Sequence, residues 1–149
     1  METMLHLDSA TLLGTDFPMA TEFSVLDDKR TIVITSAGDV DAAELTGLRR
    51  RSVELIEETG FTDFIIDFRN LNSIESGKTF AIVEAGESYS DFRITVWSNT
   101  AMLLPEDETV REQVDLMCTI EINRGRGVIS YVDTFEEAFT WFEEMARRA

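Results

Sequence analysis

The sequence predicts an α/β domain, a single mixed sheet of about five strands with about four helices. Three observations point there. Phe23, Val25, Ile32 and Ile34 alternate with polar neighbours on either side of Asp27-Asp28-Lys29, the pattern of a β-hairpin closed by a short polar turn. Phe64-Ile65-Ile66-Asp67-Phe68 is a nearly continuous apolar run, as expected of a strand buried on both faces near the centre of a sheet. Phe135, Ala138, Phe139, Phe142 and Met145 fall on one helical stripe at the C-terminal end, the face of a helix that packs on a sheet.

The elements follow in order. Residues 1–21 have no clear period and are interrupted by Gly14 and Pro18, so they are expected to form an N-terminal arm or an added edge strand, with the domain proper over 22–149. From Asp41 to Thr59, Leu45, Leu48, Leu55 and Ile56 share a helical face, and Gly60 supplies the stop. Gly47 weakens that helix by about 1 kcal/mol relative to alanine without abolishing it. A second helix is expected from Gly77 to Ser88, a strand from Arg93 to Trp97, and a third helix from Asp107 to Asn123 presenting Val110, Val114, Met117 and Cys118. Gly125 and Gly127 punctuate the turn into a last strand, Val128 to Val132, and Thr134 with Glu137 fits a capping box for the final helix. A doubly wound sheet would begin strand-helix-strand and carry helices on both faces; the initial hairpin argues against it.

Two stretches carry a resemblance. Ala37-Gly38-Asp39-Val40-Asp41 resembles the Gly-Glu-hydrophobic-Asp element of the STAS domain, the anti-sigma-factor-antagonist family. Asp67-Phe68-Arg69-Asn70-Leu71-Asn72-Ser73-Ile74-Glu75-Ser76-Gly77 resembles its switch loop, one residue shorter and with Glu75 in place of the second Asp. The segment from Tyr131 to Phe142 is similar to the end of a divergent STAS-like branch, so the resemblance covers approximately residues 22 to 148. It implies a non-enzymatic regulatory module that docks a protein partner, with Asp67, Arg69, Glu75, Ser76, Gly77 and Lys78 in the interaction loop. It also implies a phosphoacceptor, Ser76 first and Ser73 behind it. A helix N-terminus tolerates a phosphate because its N–H groups are unpaired and the dipole is positive there, while a docking partner meets the added charge. Serine is equally a preferred N-cap, so for Ser76 both readings stay open.

Composition narrows the function classes. Twenty-nine acidic against 13 basic residues give a net charge of -16, and only Lys29 and Lys78 are lysines, so nucleic acid and anionic membrane are poor partners. Arg49, Arg50 and Arg51 point in three directions on a helix and read as solvated arginines paired with neighbouring acids. The sequence shows no run of the ~20 apolar residues that a spanning helix needs and no basic leader, so a cytoplasmic location is expected. Cys118 reads as a small buried apolar residue.

Catalytic and ligand-binding readings start from few residues. The only histidine, His6, lies in the irregular arm, and Gly125-Arg126-Gly127 precedes a strand where a phosphate loop would open a helix, so no catalytic residue, metal or cofactor is expected. Asp39, Asp41, Asp67 and Glu75 could converge at one end of the sheet as a Mg²⁺-binding group, or serve as turn and cap residues. Phe80, Val83, Trp97, Met102, Leu103, Met117, Phe139 and Phe142 pack a core, or line an apolar pocket suited to a lipid or other small apolar ligand. Trp141 lies off the helical stripe and is a contact for a protein partner or for a second copy in a homodimer.

Overall fold

The computed structural model describes residues 4–8, 21–74, 98–123 and 127–148. In chain order these form β1 (Met4–Asp8), β2 (Thr21–Leu26), a 3₁₀ turn (Asp27–Lys29), β3 (Thr31–Val40), α1 (Ala42–Thr59), β4 (Asp63–Ile74), β5 (Ser98–Leu103), α2 (Glu108–Asn123), β6 (Gly127–Tyr131) and α3 (Phe135–Arg148). The strands make one sheet in sequential order, β1 to β6. β1, β2 and β3 are antiparallel neighbours, whereas β3 to β6 run parallel. The hairpin expected around Asp27-Asp28-Lys29 is β2–β3, closed by the 3₁₀ turn. The sheet exceeds the expected five strands because Met4–Asp8 adds one to its edge.

Local chemistry sets the helix limits. The Asp41 carboxylate accepts the Glu44 N–H at 2.8 Å and starts α1, and Gly60, at φ 75°, ends it by donating to the Ile56 carbonyl at 2.8 Å. At α3 the Thr134 hydroxyl accepts the Glu137 N–H at 3.1 Å while the Glu137 carboxylate accepts the Asp133 N–H at 2.8 Å. The capping pair read from sequence therefore forms.

The sheet is packed on both faces. Phe23, Val25, Ile32, Ile34, Phe64, Phe68 and Met102 meet Leu45, Leu48 and Leu55 of α1 and Val110, Val114, Met117 and Cys118 of α2 on one side. Leu26, Val33, Ile65, Ala101 and Leu103 meet Ala138 and Phe142 of α3 on the other. The initial hairpin thus coexists with a helix on each face, an arrangement expected only of doubly wound sheets. Consecutive residues of β4 explain why: Phe64 and Ile65 are both buried and point to opposite sides, so each side needs a cover.

Two further differences bear on function. The strand beside β4 is Ser98–Leu103, and its buried part is Ala101-Met102-Leu103; the expected strand at Arg93–Trp97 and the expected helix at Gly77–Ser88 lie outside the described residues. β4 is far longer than the run Phe64–Phe68, continuing in register with β3 as far as Ile74. Irregularities in that pairing between Thr35 and Ala37 and between Gly38 and Asp39 absorb the mismatch, and Gly38 takes φ 76°, open to glycine at little cost.

Candidate functional site

The stretch expected to be a loop, from Asp67 onward, begins as strand. β4 pairs with β3 up to Ile74 but with β5 only up to Asp67, so the half of β4 after Asp67 is held on one side among the described residues. Leu71 and Ile74 are buried and anchor it, while Arg69, Asn70 and Asn72 are exposed. The result is a ledge of polar side chains at the C-terminal end of the parallel strands.

Two hydrogen-bonded pairs define the ledge. Asp67, 6% exposed, accepts the Arg69 backbone N–H at 3.1 Å, its Nε at 3.0 Å and its Nη2 at 2.9 Å. Burial alone would push the Asp67 carboxyl up, but these bonds and the guanidinium charge outweigh it and hold the group below the usual carboxylate range. Further along, Ser73 and Asp39 are register partners of β4 and β3, and the Ser73 hydroxyl donates to Asp39 Oδ1 at 2.7 Å. That bond ties the two strand ends together where the ledge leaves the core.

Three of the four carboxylates considered as a cluster are thereby engaged with different partners. Asp41 caps α1, Asp39 holds Ser73, and Asp67 is committed to Arg69. No group of three or more His, Cys, Asp or Glu side chains is placed to hold a metal ion among the described residues. Glu75, Ser76, Gly77, Lys78, Phe80, Val83 and Trp97 lie outside the described residues.

The residues grouped as an apolar pocket are also divided. Met117 belongs to the α1–α2 face, whereas Phe139 and Phe142 belong to α3 on the opposite face, so the sheet stands between them. Met102 and Leu103, adjacent in β5, likewise face opposite ways. A cavity of about 100 Å³ does lie on the α1–α2 side, lined among others by Arg49, Ser52, Met102, Met117 and Cys118. It is well below the 300–1,000 Å³ usual for a small-molecule pocket (roughly). Arg49, expected in solvent, is 7% exposed beside it, while Arg51 makes the expected pairs, reaching Glu54 at 3.3 Å and Glu58 at 3.1 Å, but is half-buried where solvation was expected. Cys118 is buried as expected, its Sγ 3.6 Å from Met102 Sδ. Trp141 is half-buried against the α3 face, its ring 5.5 Å from that of Phe142.

Asp67 has a pH signature. Its folded-state pKa is lowered from 3.8, so the stability it contributes is present above that value and is lost as pH falls through the lower, folded one. Asp63 acts in the opposite sense. Burial raises its pKa against the Asn99 hydrogen bond and the Arg30 charge, so its contribution is greatest below 3.8 and declines as pH rises through the raised value. Asp67→Asn is therefore expected to flatten the acid limb of a stability-against-pH curve. An acid limb as steep as that of the wild type would show that the Asp67–Arg69 pair contributes nothing.

The fold is STAS-like: an antiparallel hairpin leads into parallel strands of one mixed sheet, with helices packed on it. Among solved structures, SpoIIAA in its unphosphorylated form, described as an anti-sigma factor antagonist, is similar at 18% identity over 86% of this chain and 96% of that chain, TM-score 0.48. A Thermotoga maritima protein provisionally described as an anti-sigma factor antagonist is similar at 17% identity over 79% of this chain and 90% of that one, TM-score 0.48. The Bacillus cell fate determinant SpoIIAA in its phosphorylated form is similar at 18% identity over 76% and 92%, TM-score 0.43. Similarity at this level says nothing about partner or phosphorylation. No family model and no curated protein matches the chain.

No helix among the described residues is long and apolar enough to cross a membrane.

Proposed function

We propose that this chain is a non-enzymatic regulatory module that binds a protein partner through the stretch from Asp67 to Lys78, of which the ledge forms the described part, with phosphorylation of Ser76 or Ser73 as its gate. The half-paired end of β4 carries this reading: Arg69, Asn70 and Asn72 are presented on a strand fixed by Leu71 and Ile74 and by the Ser73–Asp39 bond. A fixed polar surface of this kind docks a partner without the ordering cost that a loose loop would incur. The resemblance of Asp67–Gly77 to a switch loop points the same way. A carrier of an apolar ligand is disfavoured, because its expected lining is split by the sheet and the cavity on the α1–α2 side is small.

The test is capture of partners from the cells that make the protein, using the full chain, with Asn72→Arg on the ledge and Glu143→Arg on the exposed side of α3 as variants. A protein retained by wild type and Glu143→Arg but lost by Asn72→Arg would support docking at the ledge. Retention by Asn72→Arg would move the contact elsewhere. Mass spectra of the native protein should place a phosphoryl group on Ser76 or Ser73; an unmodified chain in every growth state would remove the gate and leave constitutive docking.

A further inference from the structure

A hollow of about 790 Å³ opens at the C-terminal ends of β4, β5 and β6, bordered by the start of α2. In an open α/β sheet this is the edge where strand ends and helix starts diverge and leave room for a ligand. Arg111 borders the hollow. Its Nε donates to the carbonyl of buried Pro105 at 3.1 Å, which fixes the guanidinium, while Nη1 and Nη2 make no hydrogen bond or ion pair among the described residues. The acids one helical turn to either side are engaged elsewhere. Asp107 accepts the Val110 N–H at 3.0 Å, and Asp115 accepts the Tyr131 hydroxyl. In a chain with 29 acids and 13 bases, a guanidinium held at Nε and with no carboxylate partner among the described residues stands out. Arg69 lines the same hollow with Nε and Nη2 on Asp67 and Nη1 without a partner among the described residues, and half-buried Leu104 and Val132 add apolar wall.

We propose that this hollow binds a small monocarboxylate with a short apolar body, its carboxylate held by Nη1 and Nη2 of Arg111. The planar guanidinium fork matches the two oxygens of a carboxylate and gives a charge-assisted, bidentate pair. Charge at the rim sets the class of anion. Glu106, Asp107 and Asp133 also border the hollow, and their field opposes a doubly charged phosphate more strongly than a singly charged carboxylate. The site does not depend on the docking reading, although Arg69 belongs to both surfaces.

Isovalerate titrated into the full chain at constant ionic strength, followed by backbone amide NMR shifts, tests the site; sodium chloride and inorganic phosphate serve as comparison anions. Saturable shifts centred on Leu104, Arg111 and Val132 are expected, weakened at least about tenfold in Arg111→Gln, partly retained in Arg111→Lys, and tightened in Asp133→Asn. Arg111 is exposed, so these variants should fold, and an unchanged amide spectrum away from the hollow verifies it. Absence of a saturable response, equal shifts with chloride or phosphate, or unchanged affinity in Arg111→Gln would each overturn the proposal. No partner protein is present in this experiment, so failure of the docking reading cannot produce its result.

Discussion

Phe142→Ala is expected to destabilise the protein by about 3–5 kcal/mol, the usual range for deleting a buried phenylalanine ring. Among the described residues, the face it occupies is the thinner of the two. On it α3 contributes just two buried side chains, Ala138 and Phe142, against Leu26, Val33, Ile65, Ala101 and Leu103 of the sheet. Neighbouring rings cannot close the gap cheaply, because Phe139 meets Phe142 edge-on at 6.4 Å and is itself covered by Lys29 Nζ at 5.2 Å. In a chain of 149 residues a loss of this size should lower Tm by roughly 10 °C. Urea unfolding of wild type and variant at neutral pH measures it. A loss below about 1 kcal/mol would mean that α3 rests on the sheet without forming a core, and a reduced denaturant slope would mean that the helix detaches first.

What the sequence disclosed about the fold follows from where burial leaves a periodic trace. The α3 stripe, the Asp41 and Thr134 caps and the hairpin around Asp27-Asp28-Lys29 are local patterns, and each appears in the structure where the residues place it. β5 left no such trace. Its Ser98-Asn99-Thr100 start is polar and half-buried, and it is a strand because it pairs in parallel with Asp63 to Asp67, a long-range fact. The extension of β4 was hidden for the same reason: Arg69, Asn70 and Asn72 resemble a loop, and only the partner strand β3 makes them extended. The pocket grouping of Met117 with Phe139 and Phe142 failed because composition does not say which side of a sheet a helix covers. Of the site, Asp67 and Arg69 are legible as loop residues but their pairing is not, because they share a face only where β4 continues past Phe68 as a strand. Nor is the Ser73–Asp39 contact, because it depends on a register that two irregularities have shifted.

That last contact makes Ser73→Asp the sharpest test of a charge gate. The hydroxyl donates to Asp39 at 2.7 Å; a carboxylate in its place can donate nothing and sets a second negative charge beside the first. At such separations like charges repel by about 1–4 kcal/mol, the lower end applying here because Asp39 is exposed. Ser73→Ala loses only a partly exposed hydrogen bond, about 0.5–1.5 kcal/mol at most. The expected order of stability is therefore wild type, then Ser73→Ala, then Ser73→Asp, with the gap between the last two shrinking in high salt. Asp39→Asn should restore most of the loss in the double variant, since it removes the repelling partner, and that coupling separates repulsion from a general defect. A phosphate at Ser73 would act in the same direction with a charge of about -1.5 to -2. It would loosen the end of β4 from β3 and disturb the ledge on which docking depends. Equal stability of Ser73→Asp and Ser73→Ala at low salt would show that the strand ends tolerate the charge, and a gate would then have to act at Ser76 by meeting the partner directly.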